Sequence, residues 1–276
     1  MKVRAEEQSA KVRAEEKAMN DYLERSFGLK GRRAVVTGAG RGIGRAIAEA
    51  LASVGAEVCV HFNTSQTEAG QTVERIVANG GKAWSFKADL TDSAQAAGLF
   101  SAVAERWGAL DILVNNAGDL VQRSAIADMP DELVDRIVRI NLHTTVFSCR
   151  AAIPLLRKGR SASIVNLSSI ATHTGGAGGA ILYAAVKAAV HTLTRGLAKE
   201  LAPGVRVNAI APGVVLTDFH KRHSSPAQLE AFEKSTPLGR LGKAEDMSAA
   251  VVFLCGDGAS FVTGEVIELN GGAWVA

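Results

Sequence analysis

The sequence lacks the features that mark secreted, membrane-spanning or nucleic-acid-binding proteins. It has only three cysteines in 276 residues, and they form no paired motif. No run of about 18 apolar residues occurs, and no signal-peptide-like apolar segment stands near the start. The net charge of +3 is small, and no basic patch is interleaved with aromatic residues. We therefore expect a cytoplasmic protein with reduced, buried thiols and with neither a membrane nor a nucleic acid as its partner.

What the sequence does contain is a regular alternation of short β-branched runs with longer helical stretches. The predicted strands are 33–37, 57–62, 83–88, 112–115, 163–167, 205–210 and 265–269, and the predicted helices are 43–53, 67–79, 93–107, 131–158, 181–201 and 244–255. Apolar residues make up 47% of the chain, enough for one large core. The alternation predicts a single α/β domain with a doubly wound, Rossmann-type, seven-stranded parallel sheet and helices on both faces.

The first 29 residues differ from the rest because they are highly charged and rich in helix formers. The segment Lys-Val-Arg-Ala-Glu-Glu occurs at 2–7 and again at 11–16. This nine-residue offset is about two and a half helical turns, so the two copies would face opposite sides of one helix. We predict a helical or disordered, solvated extension over 1–29 and a catalytic domain over 30–276. Packing of the extension on a neighbouring subunit is the alternative.

A glycine-rich turn follows the first predicted strand and leads directly into a helix. Residues 37–44 read Thr-Gly-Ala-Gly-Arg-Gly-Ile-Gly. The start of a helix offers unpaired backbone N–H groups and a positive dipole, and residues without side chains let a pyrophosphate come close. A tight strand-to-helix connection would also use glycine, so the motif alone is weak. The predicted cofactor contacts here are Gly38, Gly40, Arg41, Gly42, Ile43 and Gly44.

A phenol and an ammonium stand four residues apart at Tyr183 and Lys187. On a helix this spacing brings both side chains onto one face. A nearby cation favours the phenolate, which would move the tyrosine pKa toward the range useful for proton transfer. Tyr183 is therefore predicted to act as a general acid or base.

These segments together resemble the short-chain dehydrogenase/reductase family in its single-domain form, and are most similar to the 3-oxoacyl-acyl-carrier-protein reductases. The resemblance covers about residues 30 to 272. Further motifs follow in the family's order: Asn115-Asn116-Ala117-Gly118, Asn141, Ser169, Pro212-Gly213 with Thr217, and Asn270-Gly271-Gly272. The ordered set is far more specific than any one motif.

The resemblance implies a catalytic set of Asn141, Ser169, Tyr183 and Lys187. Tyr183 would give a proton to a carbonyl oxygen while the cofactor supplies hydride, and Ser169 would hydrogen-bond the same oxygen. Lys187 would lower the Tyr183 pKa and hold the nicotinamide ribose. Asn141 would anchor a water that links Lys187 to solvent, although an amide held by its own helix neighbours is the alternative.

The spacing between serine and tyrosine is the one departure from the family pattern. Ser169 precedes Tyr183 by fourteen residues, one more than is usual in the family, and Ser168 stands beside it. We assign Ser169 because Ser168, one residue earlier on the strand, would point to the opposite face. The glycine-rich loop 173–179 is expected to absorb the extra residue.

The end of the second strand bears on the choice of coenzyme. Enzymes that bind NAD usually carry an acidic residue there for the ribose 2′-OH, but this chain has Phe62-Asn63-Thr64-Ser65. Asn63, Thr64 and Arg41 suit a 2′-phosphate, so we predict NADP(H) rather than NAD(H), although Arg41 as a solvated loop charge is the alternative. Asp89 either contacts the adenine or forms a turn before the helix from Ser93. Through the resemblance, the other predicted cofactor contacts are Asp89, Leu90, Asn116, Ala117, Gly118, Tyr183, Lys187, Pro212, Gly213, Val215 and Thr217.

Residues 217–240 are polar and interrupted, and we expect them to form a lid over the substrate. The lid contains His220-Lys221-Arg222-His223, which either is a solvated charge run or attracts an acidic substrate or a carrier protein. No metal site is predicted, because no other ligand cluster accompanies these histidines. His173 either lines the pocket or is an incidental loop histidine.

The predicted function is NADP(H)-dependent interconversion of a carbonyl and a secondary alcohol, as a carbonyl or 3-oxoacyl thioester reductase. A sugar, polyol or other alcohol dehydrogenase is the alternative, and a catalytically silent nucleotide-sensing protein is the alternative of another class. Arg160 matches one carrier-docking position of the acyl-carrier reductases, but 201–204 lacks the arginine of the other. The partners expected are a small carbonyl or alcohol substrate and further copies of the chain, in a homotetramer or homodimer.

Overall fold

The protein contains one seven-stranded sheet in which every strand pair is parallel. The computed structural model describes residues 2–275, with side chains from residue 15 onward. The strand order is β3-β2-β1-β4-β5-β6-β7. The strands are β1 (Arg33–Val36), β2 (Glu57–Phe62), β3 (Lys82–Lys87), β4 (Ile112–Asn115), β5 (Ala162–Leu167), β6 (Val205–Pro212) and β7 (Val266–Leu269). The order reverses between β1 and β4, and this confirms the predicted doubly wound sheet, in which ligands bind at the carboxyl ends of the strands beside that reversal.

Helices cover both faces of the sheet. They are α1 (Lys2–Phe27), α2 (Gly42–Ser53), α3 (Gln66–Ala78), α4 (Ser93–Trp107), α5 (Asp131–Val138), α6 (Thr144–Leu156), α7 (Ala171–Thr174), α8 (Ile181–Leu201), α9 (Asp218–His223), α10 (Pro226–Ser235) and α11 (Ala244–Cys255). One buried core lies between the sheet and α2, α3 and α11, and a second lies between the sheet and α4, α6 and α8. Burial on both faces explains why the strands are continuous apolar runs instead of alternating ones.

The helix predicted over 131–158 is interrupted by a π-helical turn. Helix α5 ends at Val138, the turn occupies Arg139–His143, and α6 begins at Thr144. The Asn141 side chain competes with backbone N–H groups for an acceptor, because its Nδ2 donates to the carbonyl oxygen of Ile137 at 2.9 Å. In an uninterrupted α-helix that oxygen would accept from the Asn141 backbone N–H. Such single π turns are frequent at functional sites.

The charged N-terminal segment is helical over Lys2–Phe27. Side chains of 15–25 are exposed, and the end of α1 reaches α11, where the Phe27 and Phe253 ring centroids lie 6.4 Å apart. The first Lys-Val-Arg-Ala-Glu-Glu copy lies outside the residues whose side chains are described. The division of the chain at residue 30 stays a prediction, as does contact of α1 with a neighbouring subunit.

Within residues 2–275, no helix combines the length and the apolar character that a membrane crossing requires. The three cysteines, Cys59, Cys149 and Cys255, are buried and free. Burial is the largest influence on the pKa of Cys149, which rises to about 12. These thiols therefore act as packing groups in the two cores.

A buried carboxylate at the start of β4 is expected to stabilise the fold strongly. Asp111 is 1% exposed and accepts hydrogen bonds from the Arg33 backbone N–H and guanidinium at 2.8 to 2.9 Å, and from the Arg160 backbone N–H at 2.7 Å. Burial raises the Asp111 pKa, but hydrogen bonds from Arg33 and Arg160 outweigh this and hold the pKa below its ordinary value. We predict that Asp111→Asn lowers the free energy of unfolding by about 3 kcal/mol at pH 7, because a charge partner is lost in a buried site.

Urea unfolding of the two proteins at several pH values measures this effect. A carboxyl with a lowered folded pKa stabilises above its unfolded pKa of about 3.9, so the difference between wild type and variant should shrink as the pH falls through and below that value. Glu57→Gln is the matched control, since its partner Arg106 is half exposed and such pairs are worth less than about 1 kcal/mol. Equal losses in both variants would contradict the prediction.

Candidate active site

A cleft of about 1340 Å³ opens at the carboxyl ends of the strands and brings most of the predicted residues together. Its wall includes Ser169, Tyr183 and Lys187 of the predicted catalytic set, but not Asn141, which lies behind it. Among the predicted cofactor residues Gly40 is missing from the wall, because it packs against the loop after β2, where a Cβ would stand 2.7 Å from Ser65 Oγ. The predicted cofactor residues that line the cleft are Gly38, Arg41, Gly42, Ile43, Gly44, Asn63, Thr64, Asp89, Leu90, Asn116, Ala117, Gly118, Pro212, Gly213, Val215 and Thr217.

The glycine-rich turn has the geometry of an anion cradle. Gly38 and Gly42 have φ of +61° and +56°, which is the left-handed region that favours glycine. A Cβ at Gly44 would stand 2.4 Å from the Gly38 carbonyl oxygen. Helix α2 starts at Gly42, and in the described residues no side chain caps its N-terminus. Its first N–H groups therefore remain available to a phosphate, so these residues fit a dinucleotide.

Asn116 and Thr37 hold the turn against the end of β4. Thr37 Oγ1 accepts hydrogen bonds from the backbone N–H groups of Asn116 and Ala117 at 2.9 and 3.0 Å. Asn116 Nδ2 donates to the carbonyl oxygens of Thr37 and Gly38 at 2.8 and 3.0 Å. The Asn116 side chain is thus engaged by the protein itself and supports the turn, and its contact with a cofactor stays a prediction.

His61 supports the same turn, and the sequence analysis missed it. The residue is 2% exposed. Its Nδ1 accepts from the Gly38 N–H at 3.1 Å, and its Nε2 lies 3.0 Å from the carbonyl oxygen of Ala88 and donates to it. Burial lowers the His61 pKa to about 4, so the ring is neutral with its proton on Nε2. The sequence did offer one signal for this role, a histidine within an apolar strand next to the expected phosphate-binding turn.

Tyr183 and Lys187 lie on one face of α8 as predicted. Lys187 is 5% exposed, its Nζ donates to the Leu167 carbonyl oxygen at 2.8 Å, and it lies 5.8 Å from the centroid of the Tyr183 ring. Burial lowers the Lys187 pKa to about 8. Burial also raises the Tyr183 pKa to about 12, while the nearby Ser169 side chain acts in the opposite direction. The expected lowering of the tyrosine pKa is absent here because loss of hydration dominates, and Tyr183 keeps its proton at neutral pH.

The hydroxyl groups of the two adjacent serines have different partners. The Ser169 side chain lies near the Tyr183 phenol, whose pKa it lowers, and its Oγ accepts from the Ala171 backbone N–H at 3.1 Å. The Ser168 hydroxyl is buried and donates to the Lys187 carbonyl oxygen at 3.3 Å. The loop between serine and tyrosine has positive φ at Gly175, Gly176, Gly178 and Gly179, which is a shape open to glycine and poorly suited to other residues.

Asn141 is fully buried and hydrogen-bonded on both sides of its amide. Its Nδ2 donates to the carbonyl oxygens of Asp119 and Ile137 at 2.7 and 2.9 Å, and its Oδ1 accepts from the Asp119 N–H at 3.2 Å. A Cβ at Gly118 would stand 2.7 Å from Asn141 Oδ1 and 3.2 Å from Lys187 Nζ. Asn141 and Lys187 therefore converge behind Gly118, and the water-anchoring role stays a prediction.

The residues that bear on the coenzyme are exposed at the cleft mouth. Asn63 and Thr64 are exposed after β2, and Arg41 is exposed at the turn, where its side chain makes no hydrogen bond to residues 15–275. Asp89 Oδ1 accepts from the Thr91 N–H at 2.9 Å in a tight turn, while Asp92 caps α4. Both proposed roles of Asp89 are thus compatible with its place at the cleft.

The lid consists of α9 and α10, and its basic run is largely engaged within the protein. Arg222 and His223 both contact the Asp119 carboxylate, and Lys221 pairs with Asp218. Burial lowers the His220 pKa to about 4, so that ring is neutral. The cations of the run are therefore less available to an acidic ligand than the sequence suggested.

His173 lies beside the cleft instead of lining it. Its Nε2 is 2.8 Å from Glu268 Oε1, and its ring stacks on Trp274 at a centroid distance of 3.5 Å. The histidine thus joins α7, which follows the predicted catalytic serine, to the C-terminal segment after β7.

An anion-binding turn and a protonated phenol share one cleft, and hydride transfer assisted by proton transfer is the chemistry that such an arrangement suits. The site and the fold therefore define the class of nicotinamide-dependent α/β oxidoreductases. Comparison with known proteins agrees. A family model described as enoyl-(acyl carrier protein) reductase matches residues 38–273.

Named relatives cover nearly the whole chain. L-rhamnose 1-dehydrogenase (NAD(P)(+)) of Sphingomonas sp. is 38% identical, with 90% of this chain and 98% of that protein covered. The 3-oxoacyl-[acyl-carrier-protein] reductase FabG of Staphylococcus aureus is also 38% identical, with 88% and 98% covered.

Solved structures show the same fold. The Pseudomonas aeruginosa RhlG/NADP complex has a TM-score of 0.84 and 35% identity, with 90% of this chain and 98% of that chain covered. A 7α-hydroxysteroid dehydrogenase complexed with NADH has a TM-score of 0.85 and 32% identity, with 90% and 96% covered. The chain belongs to the short-chain dehydrogenase/reductase family, and it is an enzyme that acts on CH–OH groups with a nicotinamide cofactor.

The two serines give a direct test of the catalytic assignment. We predict that Ser169→Ala lowers kcat by about a hundredfold or more, because a hydroxyl that meets the substrate oxygen is removed. Ser168→Ala, the matched control, should retain kcat within about threefold, since its hydroxyl bonds only to the protein backbone. Steady-state kinetics on both variants measure the difference, and the reverse ranking would overturn the assignment.

His61 should act on cofactor affinity more than on the chemical step. We predict that His61→Leu raises the Kd for the dinucleotide about tenfold, because the Gly38 N–H loses its acceptor and the turn loses a support. His61→Asn, which retains an acceptor near the Nδ1 position, should recover most of the affinity. Titration of protein fluorescence with the dinucleotide measures Kd, and equal Kd values for His61→Leu and wild type would contradict the prediction.

Proposed function

We propose that the protein reduces a carbonyl group to a secondary alcohol with NADPH, as a carbonyl or 3-oxoacyl thioester reductase. The observation that carries the proposal is that Ser169, Tyr183 and Lys187 line the same cleft as the glycine-rich turn, with Ser169 close enough to the Tyr183 phenol to lower its pKa. Two hydroxyl groups on one cleft wall suit a carbonyl oxygen between them.

The proposed mechanism assigns the oxygen chemistry to the chain's own residues. When bound, the nicotinamide cofactor supplies the hydride. The hydroxyls of Ser169 and Tyr183 orient the carbonyl and stabilise the charge that develops on its oxygen. Tyr183 donates its proton to that oxygen, and its raised pKa keeps the proton available at neutral pH. Lys187, a buried cation behind the phenol, stabilises the phenolate that remains and holds the nicotinamide ribose.

The choice of NADP(H) is supported by the charges near the end of β2. No carboxylate occurs at 62–65, where an enzyme selective for NAD usually has one, and the amide and hydroxyl of Asn63 and Thr64 are exposed there. The exposed Arg41 at the turn offers a planar cation to a 2′-phosphate.

The substrate is proposed to be a small uncharged carbonyl compound. Binding of an acyl carrier protein is disfavoured for two reasons. Asp119 already pairs with Arg222 in the lid, and residues 201–204 lack the second basic position that the acyl-carrier reductases use for docking. A sugar or polyol is the second candidate, because Phe219 and Phe232 line the cleft together with Gln228, and an apolar face with nearby polar groups suits a sugar ring. Failure to turn over any such compound despite tight NADPH binding would favour the alternative of a catalytically silent nucleotide-sensing protein.

We further propose a cytoplasmic homotetramer or homodimer, formed through α6, α8 and the outer edge of β7. Among the described strands β7 pairs only with β6, so its other edge is available to another copy. Residues 1–29 are proposed to be an extension to the catalytic domain at 30–276.

Coenzyme preference is the sharpest test of the proposed function. We predict that kcat/KM is about tenfold or more higher with NADPH than with NADH, and that Arg41→Ala removes most of this preference by losing the phosphate contact. Arg45→Ala is the matched control, because Arg45 lies on α2 near Glu49 and away from the cleft wall. The substrates would be ethyl acetoacetate, cyclic ketones, aldoses and a 3-oxoacyl thioester, with absorbance at the nicotinamide band as the readout. NADH used at least as efficiently as NADPH would refute the proposal.

A further inference from the structure

Asp119, the residue after the Asn115–Gly118 motif, joins two parts of the active site that the catalytic set leaves unconnected. Its backbone holds Asn141 on both sides, with the N–H donating to Asn141 Oδ1 at 3.2 Å and the carbonyl oxygen accepting from Asn141 Nδ2 at 2.7 Å. Asn141 Oδ1 and Lys187 Nζ both lie beside Gly118, 2.7 and 3.2 Å from where a Cβ of that residue would stand. The main chain of Asp119 is therefore part of the support behind the catalytic lysine.

The side chain of Asp119 faces the other way and binds the lid. Its carboxylate accepts from Arg222 Nη1 at 2.8 Å and from His223 Nε2 at 2.9 Å, both at the end of α9. The carboxylate is 19% exposed and the His223 side chain 8% exposed, so the contact is largely shielded from water. Burial raises the Asp119 pKa, but Arg222 and His223 outweigh it and keep the carboxyl ionised.

A second contact from the same loop strengthens this connection. Arg123 Nε donates to the His223 carbonyl oxygen at 2.9 Å, and its Nη1 donates to the Gly178 carbonyl oxygen at 2.9 Å in the loop before Tyr183. The lid helix fastened in this way carries Phe219, whose ring lies 6.1 Å from the Tyr183 ring. The position of α9 thus determines what covers the phenol.

We propose that Asp119 is a positioning residue that couples closure of the lid helix α9 over Tyr183 to the seating of Asn141 behind Lys187. The lid cannot move away from the phenol without breaking the contacts of Asp119 with Arg222 and His223, and the residue that loses them is the one whose backbone holds Asn141. A bound substrate and an ordered proton-transfer site are thereby stabilised together. The link to Tyr183 chemistry rests on the proposed function, whereas the link between Asp119 and the lid does not.

The coupling is tested first without any turnover. Hydrogen–deuterium exchange of the full chain, with NADPH as the only added ligand, is compared for wild type, Asp119→Asn and Arg222→Gln. Both variants should exchange faster over 214–224, and Asp119→Asn should also exchange faster over 137–143, whereas α4 should be unchanged. Glu230→Gln is the matched control, because it removes a lid carboxylate whose partner is the exposed Lys234. Unchanged exchange over 214–224 in Asp119→Asn would overturn the proposal.

Kinetics with ethyl acetoacetate then separate positioning from general damage. In Asp119→Asn we expect KM for the ketone to rise about tenfold and kcat to fall, with KM for NADPH within about twofold. The double variant with Arg222→Gln should have the ketone KM of Asp119→Asn alone, because the two side chains form one contact. Additive effects, or a higher KM for NADPH alone, would contradict the coupling.

The two proposals fail in distinguishable ways. If wild type does not reduce ethyl acetoacetate, the proposed function loses support, while the exchange data still decide whether Asp119 holds the lid. If Asp119→Asn does not fold, Arg222→Gln carries the test, because the Arg222 side chain is exposed and its loss leaves the Asp119 backbone contacts in place. Unchanged exchange over 214–224 in Arg222→Gln would then be the contradicting result.

Discussion

The proposed catalytic arrangement depends on one buried hydrogen bond, from the Lys187 ammonium to the carbonyl oxygen of Leu167. It joins the second turn of α8 to the last residue of β5, just before the two serines. Because the ammonium is nearly excluded from water, it needs such an acceptor, and the acceptor fixes how far α8 lies from the strand end. Tyr183 on α8 and Ser169 after β5 are thereby placed on the wall of the same cleft, each by one end of this contact.

Around that contact, polar side chains in the interior hold the strand ends in register. Asn115 Nδ2 donates to Asn166 Oδ1 at 2.8 Å, and Asn166 Nδ2 donates to Thr194 Oγ1 at 2.9 Å, so β4, β5 and α8 form one continuous network. Thr37 likewise joins the ends of β1 and β4, and His61 joins the ends of β1, β2 and β3. Polar groups this deep are costly when unpaired, so these contacts restrict the alternative arrangements of the strand ends, although Asn115 Oδ1 has no hydrogen-bond partner in the described residues.

Much of the site could be read from the sequence because its signals are local. Apolar runs located the strands, and the four-residue spacing of Tyr183 and Lys187 needed only helical geometry. Ser169 was separated from Ser168 by strand alternation alone. What the sequence did not reveal depends on contacts between distant residues: the His61 contact with Ala88, the Asp119 contacts with the lid, and the depth of burial that raises the Tyr183 pKa. The π turn was missed because apolar periodicity does not register a side-chain amide that competes for a backbone carbonyl.

The extra residue in the π turn changes which side of the continuous helix α5–α6 its later residues face. A single inserted residue rotates everything after it by about 100° around the helix axis. Before the turn, Leu133 and Ile137 pack with Val186 in a small cluster at the cleft. After it, Cys149, Ala152 and Leu156 pack into the large core beneath the sheet. At 100° per residue, an uninterrupted α-helix would place Cys149, Ala152 and Leu156 about 110° around the axis from Leu133 and Ile137. The π turn takes up about 100° of this difference, so both sets lie on nearly the same side of the helix and both clusters stay covered.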